Sequence, residues 1–356
     1  MGRARRRRRG RQHAAGAARH AARRSGGQRL RIGHPCPVKI GYKLIAEAYG
    51  PTEMVRQCVL AEQAGFDFVE ISDHFHPWVS EQQHSGFAWS MLAAIAARTE
   101  RIELATGVTC PMIRYHPAVI AQAAATTQIL AEGRFTLGVG SGERLNEHVV
   151  GQGWPPVHVR HRMFRESLEI IRLLWQGGYQ SYEGRHLTLE DARVFDLPEE
   201  LPKIVVAAGG TRAAALAAEL GDGLFVTEPS PDLVGAYREH GGTGPRYAEV
   251  PLAYAGTVEE AAESARALFR FGIPGWKVQA ELPNPVNFDA ATALVTADVM
   301  AENFGCGPDT ERHLAVTKPF VDAGYDHLAL INAGPDVDGF FDHAANGLIE
   351  QVRKLG

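Results

Sequence analysis

The stretch Ile71-Ser72-Asp73-His74-Phe75-His76-Pro77-Trp78 starts where the apolar run Phe68-Val69-Glu70-Ile71 ends. A second junction has the same form. The run Phe135-Thr136-Leu137-Gly138-Val139 gives way to Gly140-Ser141-Gly142-Glu143-Arg144-Leu145-Asn146. If both runs are parallel strands, Asp73, His74, Trp78, Glu143 and Asn146 gather at one rim of one sheet. That rim is where α/β barrels keep their active sites.

Outward from these junctions the chain alternates between strand and helix. Short apolar runs predict strands at 39–44, 67–72, 101–108, 134–140, 203–208, 223–227, 248–255 and 327–332. Segments with helical spacing lie between them, at 51–65, 87–97, 117–131, 213–220, 231–240, 259–269 and 308–323, with a closing helix at 340–355. Two stretches break the rhythm. After the fourth strand come a Gly-, Pro- and His-rich segment (149–159), an amphipathic helix (162–175) and a hairpin over 179–195 turning at Glu183-Gly184. After the seventh, residues 270–300 carry Pro274, Gly275, Pro283 and Pro285. Eight strand–helix units favour a (β/α)8 TIM barrel over residues 38–356, with insertions after strands 4 and 7. A doubly wound sheet is the alternative. The run Gly138-x-Gly140-x-Gly142-Glu143 departs from the dinucleotide pattern G-x-G-x-x-G, which counts against it.

Charge divides the chain unevenly. Twelve of its 37 basic residues fall within residues 1–36, which hold no acid, so the remainder carries 25 basic against 41 acidic residues. An acidic body grips a phosphate backbone poorly, and no nucleic-acid partner is expected of the fold. The head, residues 1–37, is Arg-, Ala- and Gly-rich and cannot bury enough surface to order itself. We expect a disordered extension, with Val38 a natural start. Arg23-Arg24 lacks the apolar segment of an export signal, and the charge run alone would also suit a nucleic-acid-binding arm. No run reaches the ~18–20 apolar residues of a membrane span. Cys36, Cys58, Cys110 and Cys306 are far apart and lack metal spacing, as in reduced thiols of a cytosolic protein.

The chemistry-bearing residues each have a plain reading as well. His74 has a near-neutral pKa suited to a general acid or base. His76 makes a His-x-His pair with it, but later strand ends (Ala208-Gly209-Gly210, Thr227-Glu228, Asn332-Ala333-Gly334) offer no metal-ligand set, so no metal is expected and His76 is read as a turn residue. Glu143 could be a solvated loop carboxylate, and Glu47 a helix-entry charge. Gly107, in Thr106-Gly107-Val108-Thr109-Cys110, permits an unusual peptide. Gly209-Gly210-Thr211-Arg212 opens a helix as an anion site would, or as an ordinary turn and cap.

Taken in order, Lys39-Ile40-Gly41-Tyr42-Lys43, Ser72-Asp73-His74-Phe75 with Trp78, Arg114-Tyr115-His116-Pro117-Ala118, Leu137 to Glu147 and Ala208-Gly209-Gly210 resemble the luciferase-like superfamily. Within it they are similar to the branch of coenzyme-F420-dependent glucose-6-phosphate dehydrogenases. The resemblance implies a (β/α)8 barrel, usually a homodimer, binding F420 and a small-molecule substrate. It implies that Asp73, Cys110, Ser141, Gly142, Asn146, Gly209, Gly210, Arg212 and Ala213 line the coenzyme, with a cis peptide at Gly107–Val108 behind the ring. It casts His74 and Glu143 as the acid–base pair, with Trp78 and Glu47 near the substrate carbon and Thr227 on the substrate. An FMN monooxygenase, or a barrel that binds without turnover, would use the same frame. The branch places a lysine shortly after the strand-six threonine to hold the sugar phosphate. Here Thr227 is followed by Glu228-Pro229-Ser230, and residues 291–304 hold no Lys or Arg. The cofactor chemistry is therefore expected to transfer, and the phosphorylated substrate is not.

Overall fold

The computed structural model describes residues 38–356, so the Arg-rich head lies outside the described residues. Eight parallel strands form the barrel: β1 (Lys39–Leu44), β2 (Phe68–Ile71), β3 (Glu103–Thr106), β4 (Phe135–Val139), β5 (Lys203–Ala207), β6 (Gly223–Val226), β7 (Arg246–Ala253) and β8 (His327–Asn332). Each strand pairs with the next, and β8 pairs with β1 to close the ring. Closure leaves no unpaired barrel edge, which is the energetic reason for the architecture.

The period-two geometry of a strand sorts each side chain. On β1, Ile40, Tyr42 and Leu44 point outward into the core shared with the helices. Gly41 points inward, where an added Cβ would come within 2.3 Å of the Phe68 ring, so glycine makes room for Phe68. Phe68, Val205, Phe225, Tyr247 and Ala329 fill this interior layer. The first helix, Pro51–Ala64, has proline in its opening turn and stops at Gly65 in the left-handed conformation (φ 92°).

The predicted elements are all present, with shifted ends. The helix expected at 162–175 begins five residues earlier, as Val157–Leu174. Its first turn follows Pro155-Pro156 and exposes Val157 and His158, so no apolar spacing announces it. The hairpin pairs Gln180–Glu183 with Thr188–Ala192. The insertion after β7 holds the short helices Trp276–Gln279, Pro285–Ala291 and Ala297–Asn303, then a two-residue strand, Gly305–Cys306, alongside β7. The closing helix starts earlier, at Val337, and is broken at Gly347 (φ 148°). None of the described helices is long and apolar enough to cross a membrane.

Candidate active site

The strand ends of β1, β2 and β4 bring three separated residues together. After β1 the chain turns at Ile45–Tyr49 through Ile45 O, and this aims Glu47 inward. Glu47 is 2 % exposed, which excludes the helix-entry reading. Its Oε1 lies 2.5 Å from His74 Nδ1. On the other side of the ring, His74 Nε2 lies 3.5 Å from Glu143 Oε1. Glu143 is also buried, so the solvated-loop reading fails too. It is steered by Asn146, whose Nδ2 donates to Oε1 at 2.5 Å.

Electrostatics follow from that sandwich. Burial alone would lower the His74 pKa, but the two carboxylates outweigh it and raise it above its ordinary value. Burial would likewise raise Glu47, and the His74 charge together with Lys43 overcomes it, leaving Glu47 below its usual range. Glu47 thus faces Nδ1 and Glu143 faces Nε2.

Trp78 meets His74 edge to face, with ring centroids 5.1 Å apart. Its own face stacks on Phe271 of the second insertion at 4.6 Å, and Phe288 meets it edge-on. Trp78 is thus a buried wall that fixes the imidazole. Arg270 ties the insertion down through ion pairs to Glu81 and Asp289.

Other expected residues are placed less simply. Both Asp73 oxygens are taken by protein donors: Trp89 Nε1 and Thr109 Oγ1 on one, Tyr115 OH on the other, where Arg114 also pairs. Asn146 Oδ1 accepts from the backbone N–H groups of Phe75 and His76, tying the two junction loops together. His76 Nδ1 lies 3.0 Å from Leu145 O, in keeping with its turn reading. Cys110 is buried beside Gly142, and burial pushes its thiol pKa up. Glu147, which the sequence reading passed over, accepts from Arg114 N, and burial raises its pKa to about 7. Its signal was the acid that ends the Leu137 to Glu147 motif.

Beside these groups the glycines at the end of β4 pack directly on the segment Thr106–Cys110. An added Cβ at Gly138 would lie 1.9 Å from Thr106 O, and one at Gly140 would lie 2.7 Å from Val108 Cγ2. At Gly142 it would meet Cys110 Sγ at 2.6 Å. The Gly107–Val108 peptide is cis. Across the rim, the helix Thr211–Leu220 has no side-chain cap at Gly210, and nothing lies within 4 Å of where a Gly210 Cβ would be. Thr211 and Arg212 stand exposed at the start of this helix. His161 lies close enough to Arg160 and Arg212 that, after burial, both lower its pKa. Ala213 is half-buried behind this turn, Ser141 half-buried beside Gly142, and Thr227 exposed at the end of β6.

The luciferase-like monooxygenase family model matches residues 30–327. An F420-dependent glucose-6-phosphate dehydrogenase of Amycolatopsis mediterranei (strain U-32) is 35% identical, covering 90% of this chain and 100% of the relative. One of Rhodococcus erythropolis (strain PR4 / NBRC 100887) is 36% identical over 90% of this chain and 99% of its own. A solved F420-dependent secondary alcohol dehydrogenase, in complex with an F420-acetone adduct, is 29% identical with a TM-score of 0.81, covering 87% of this chain and 98% of that one. The tetrahydromethanopterin reductase of Methanopyrus kandleri, at 20% identity and a TM-score of 0.72 over 89% of this chain and 100% of that one, shares the fold. This chain belongs to the luciferase-like monooxygenase family.

Proposed function

We propose that the protein is a coenzyme-F420-dependent oxidoreductase acting on the CH–OH group, or the matching carbonyl, of a small non-phosphorylated molecule. The observation that carries this reading is the Glu47–His74–Glu143 array, a half-buried imidazole between two buried carboxylates beside a glycine-rich strand end. The F420-dependent enzymes among its relatives support the choice of coenzyme.

The residues present fit that coenzyme. Gly138, Gly140 and Gly142 let the end of β4 pack directly on Thr106, Val108 and Cys110 behind the rim, and the Thr211 helix, with no side-chain cap and with Arg212 exposed, suits a phosphodiester. Gly107, Val108, Ser141, Gly142 and Gly209–Ala213 would hold it, while Asp73, Asn146 and Cys110 support the loops from behind. Bound F420 supplies a hydride acceptor and donor at C5 of its deazaflavin. His74 Nε2 exchanges the substrate hydroxyl proton, Glu47 orients its ring, and Glu143 holds the proton on the coenzyme side. Trp78 and Phe271 keep water from that face.

The substrate reading rests on the residues just past Thr227 and on residues 291–304, which hold no Lys or Arg. Glu228 is exposed at the first, and Glu302 is exposed in the other. Neither region offers a cation for a phosphate dianion. The test follows F420 absorbance with a neutral secondary alcohol, glucose and glucose 6-phosphate in parallel. Reduction with a neutral alcohol and little with glucose 6-phosphate is expected. Rapid reduction with glucose 6-phosphate would overturn the non-phosphorylated substrate.

A homodimer belongs to the same proposal. The helices Ala88–Ala96 and Pro117–Leu130 contain no charged residue, and Phe87, Val119 and Leu130 stand exposed on them or at their start. Two adjacent uncharged surface helices suit a second copy of the chain. Light scattering that finds only monomer at micromolar concentration would remove this part. Cys58, Cys110 and Cys306 are free and buried, which suits a cytosolic location.

A further inference from the structure

Beneath the site lies a second ionic cluster that the proposed chemistry leaves unused. Lys43, Glu70 and Glu249 each stand two residues beyond an inward-facing member of the barrel, namely Gly41, Phe68 and Tyr247. By strand parity they form the next interior layer toward the C-terminal rim. Lys43 Nζ donates to Glu249 Oε1 at 2.5 Å and lies 3.6 Å from Glu70 Oε1. Its other contact is upward: Nζ donates to the backbone carbonyl of Gly107 at 2.7 Å.

Burial would lower the Lys43 pKa, but the Glu249 and Glu70 charges outweigh it and raise it. Neither Glu70 oxygen has a hydrogen-bond partner among the described residues, and burial raises the Glu70 pKa well above the usual range. Three ionisable groups in a barrel interior are costly to desolvate, and well-packed apolar residues there are often as stable or more so. A cluster of this kind directly under a rim is better explained by the segment it holds in place. A Cβ on Gly107 would lie 3.1 Å from Glu70 Cδ and 3.2 Å from Lys43 Nζ, so the cluster packs tightly against that residue.

We propose that Lys43 is a positioning residue: anchored by Glu249, its ammonium clamps the Gly107 carbonyl and holds the Gly107–Val108 segment where the deazaflavin binds. This rests on the F420 reading of the rim. The ammonium acts through the backbone and exchanges no proton with substrate.

The test compares Lys43→Met/Glu249→Gln with wild type, because removing the cation alone would leave Glu249 unpaired. Two quantities are measured: the folding midpoint of the coenzyme-free protein, and the F420 dissociation constant by fluorescence quenching. The expected result is a midpoint within a few degrees of wild type and F420 binding weakened tenfold or more. A native midpoint with F420 affinity within twofold of wild type would overturn the proposal. If the double variant does not fold, Glu249→Gln alone decides, with a several-fold loss of F420 affinity expected and an unchanged affinity contradicting it. If wild type itself fails to bind F420, the coenzyme reading fails and the proposal falls with it.

Discussion

The two halves of the barrel do different work. From β1 to β4 the chain supplies the buried Glu47 and Glu143 and, between them, the half-buried His74. From β5 to β8 it supplies exposed Gly209, Thr211, Arg212 and Thr227, and an insertion whose Phe271 reaches back onto Trp78. The first half gathers closely spaced ionisable groups, as proton transfer requires. The second presents open backbone and loops, as ligand recognition requires. On the proposed reading, this difference lets the proton-transfer groups stay fixed while the residues that meet substrate change.

If the division is right, damage to the first half should strike turnover and damage to the second should strike binding. The largest effect is expected for His74→Ala and Glu143→Gln, each lowering kcat by ~100-fold or more while F420 affinity stays within a few-fold. Steady-state kinetics beside fluorescence titration check this, and near-normal kcat in either variant would break the comparison. Arg212→Ala, in the second half, should do the reverse. It should weaken F420 binding by about tenfold, the scale of one charge-assisted contact, with kcat at saturation little changed.

A smaller effect sharpens the role of Glu47. His74 must be neutral to accept a hydroxyl proton, so alcohol oxidation should rise with pH through its raised pKa. Glu47→Gln removes the largest cause of that rise and should move the limb to lower pH. The linked stability has the opposite sense. What His74 gains from its carboxylates is fully present below the unfolded imidazole value and is lost as pH rises through the folded one. An unmoved limb in a pH–rate profile of Glu47→Gln would contradict the pairing.

Much of this was legible in sequence because parallel barrel strands are buried on both faces and read as short apolar runs between helices. The start of Val157–Leu174 was not, since its first residues are exposed after two prolines. The ring order of the strands placed Glu47 beside His74, a contact between loops that no local pattern encodes. The Lys43–Glu70–Glu249 layer did leave a trace: a charge inside each of three otherwise apolar runs, Gly41-Tyr42-Lys43-Leu44, Phe68-Val69-Glu70-Ile71 and Tyr247-Ala248-Glu249-Val250. Only strand parity turned those isolated charges into one cluster.

The most direct test is a side-by-side titration of the wild-type protein with F420 and FMN, monitored by ligand fluorescence. The uncapped start of the Thr211 helix and the exposed Arg212 predict saturable F420 binding at micromolar affinity or better, with FMN bound more weakly. Saturation by FMN with no measurable F420 binding would contradict the account.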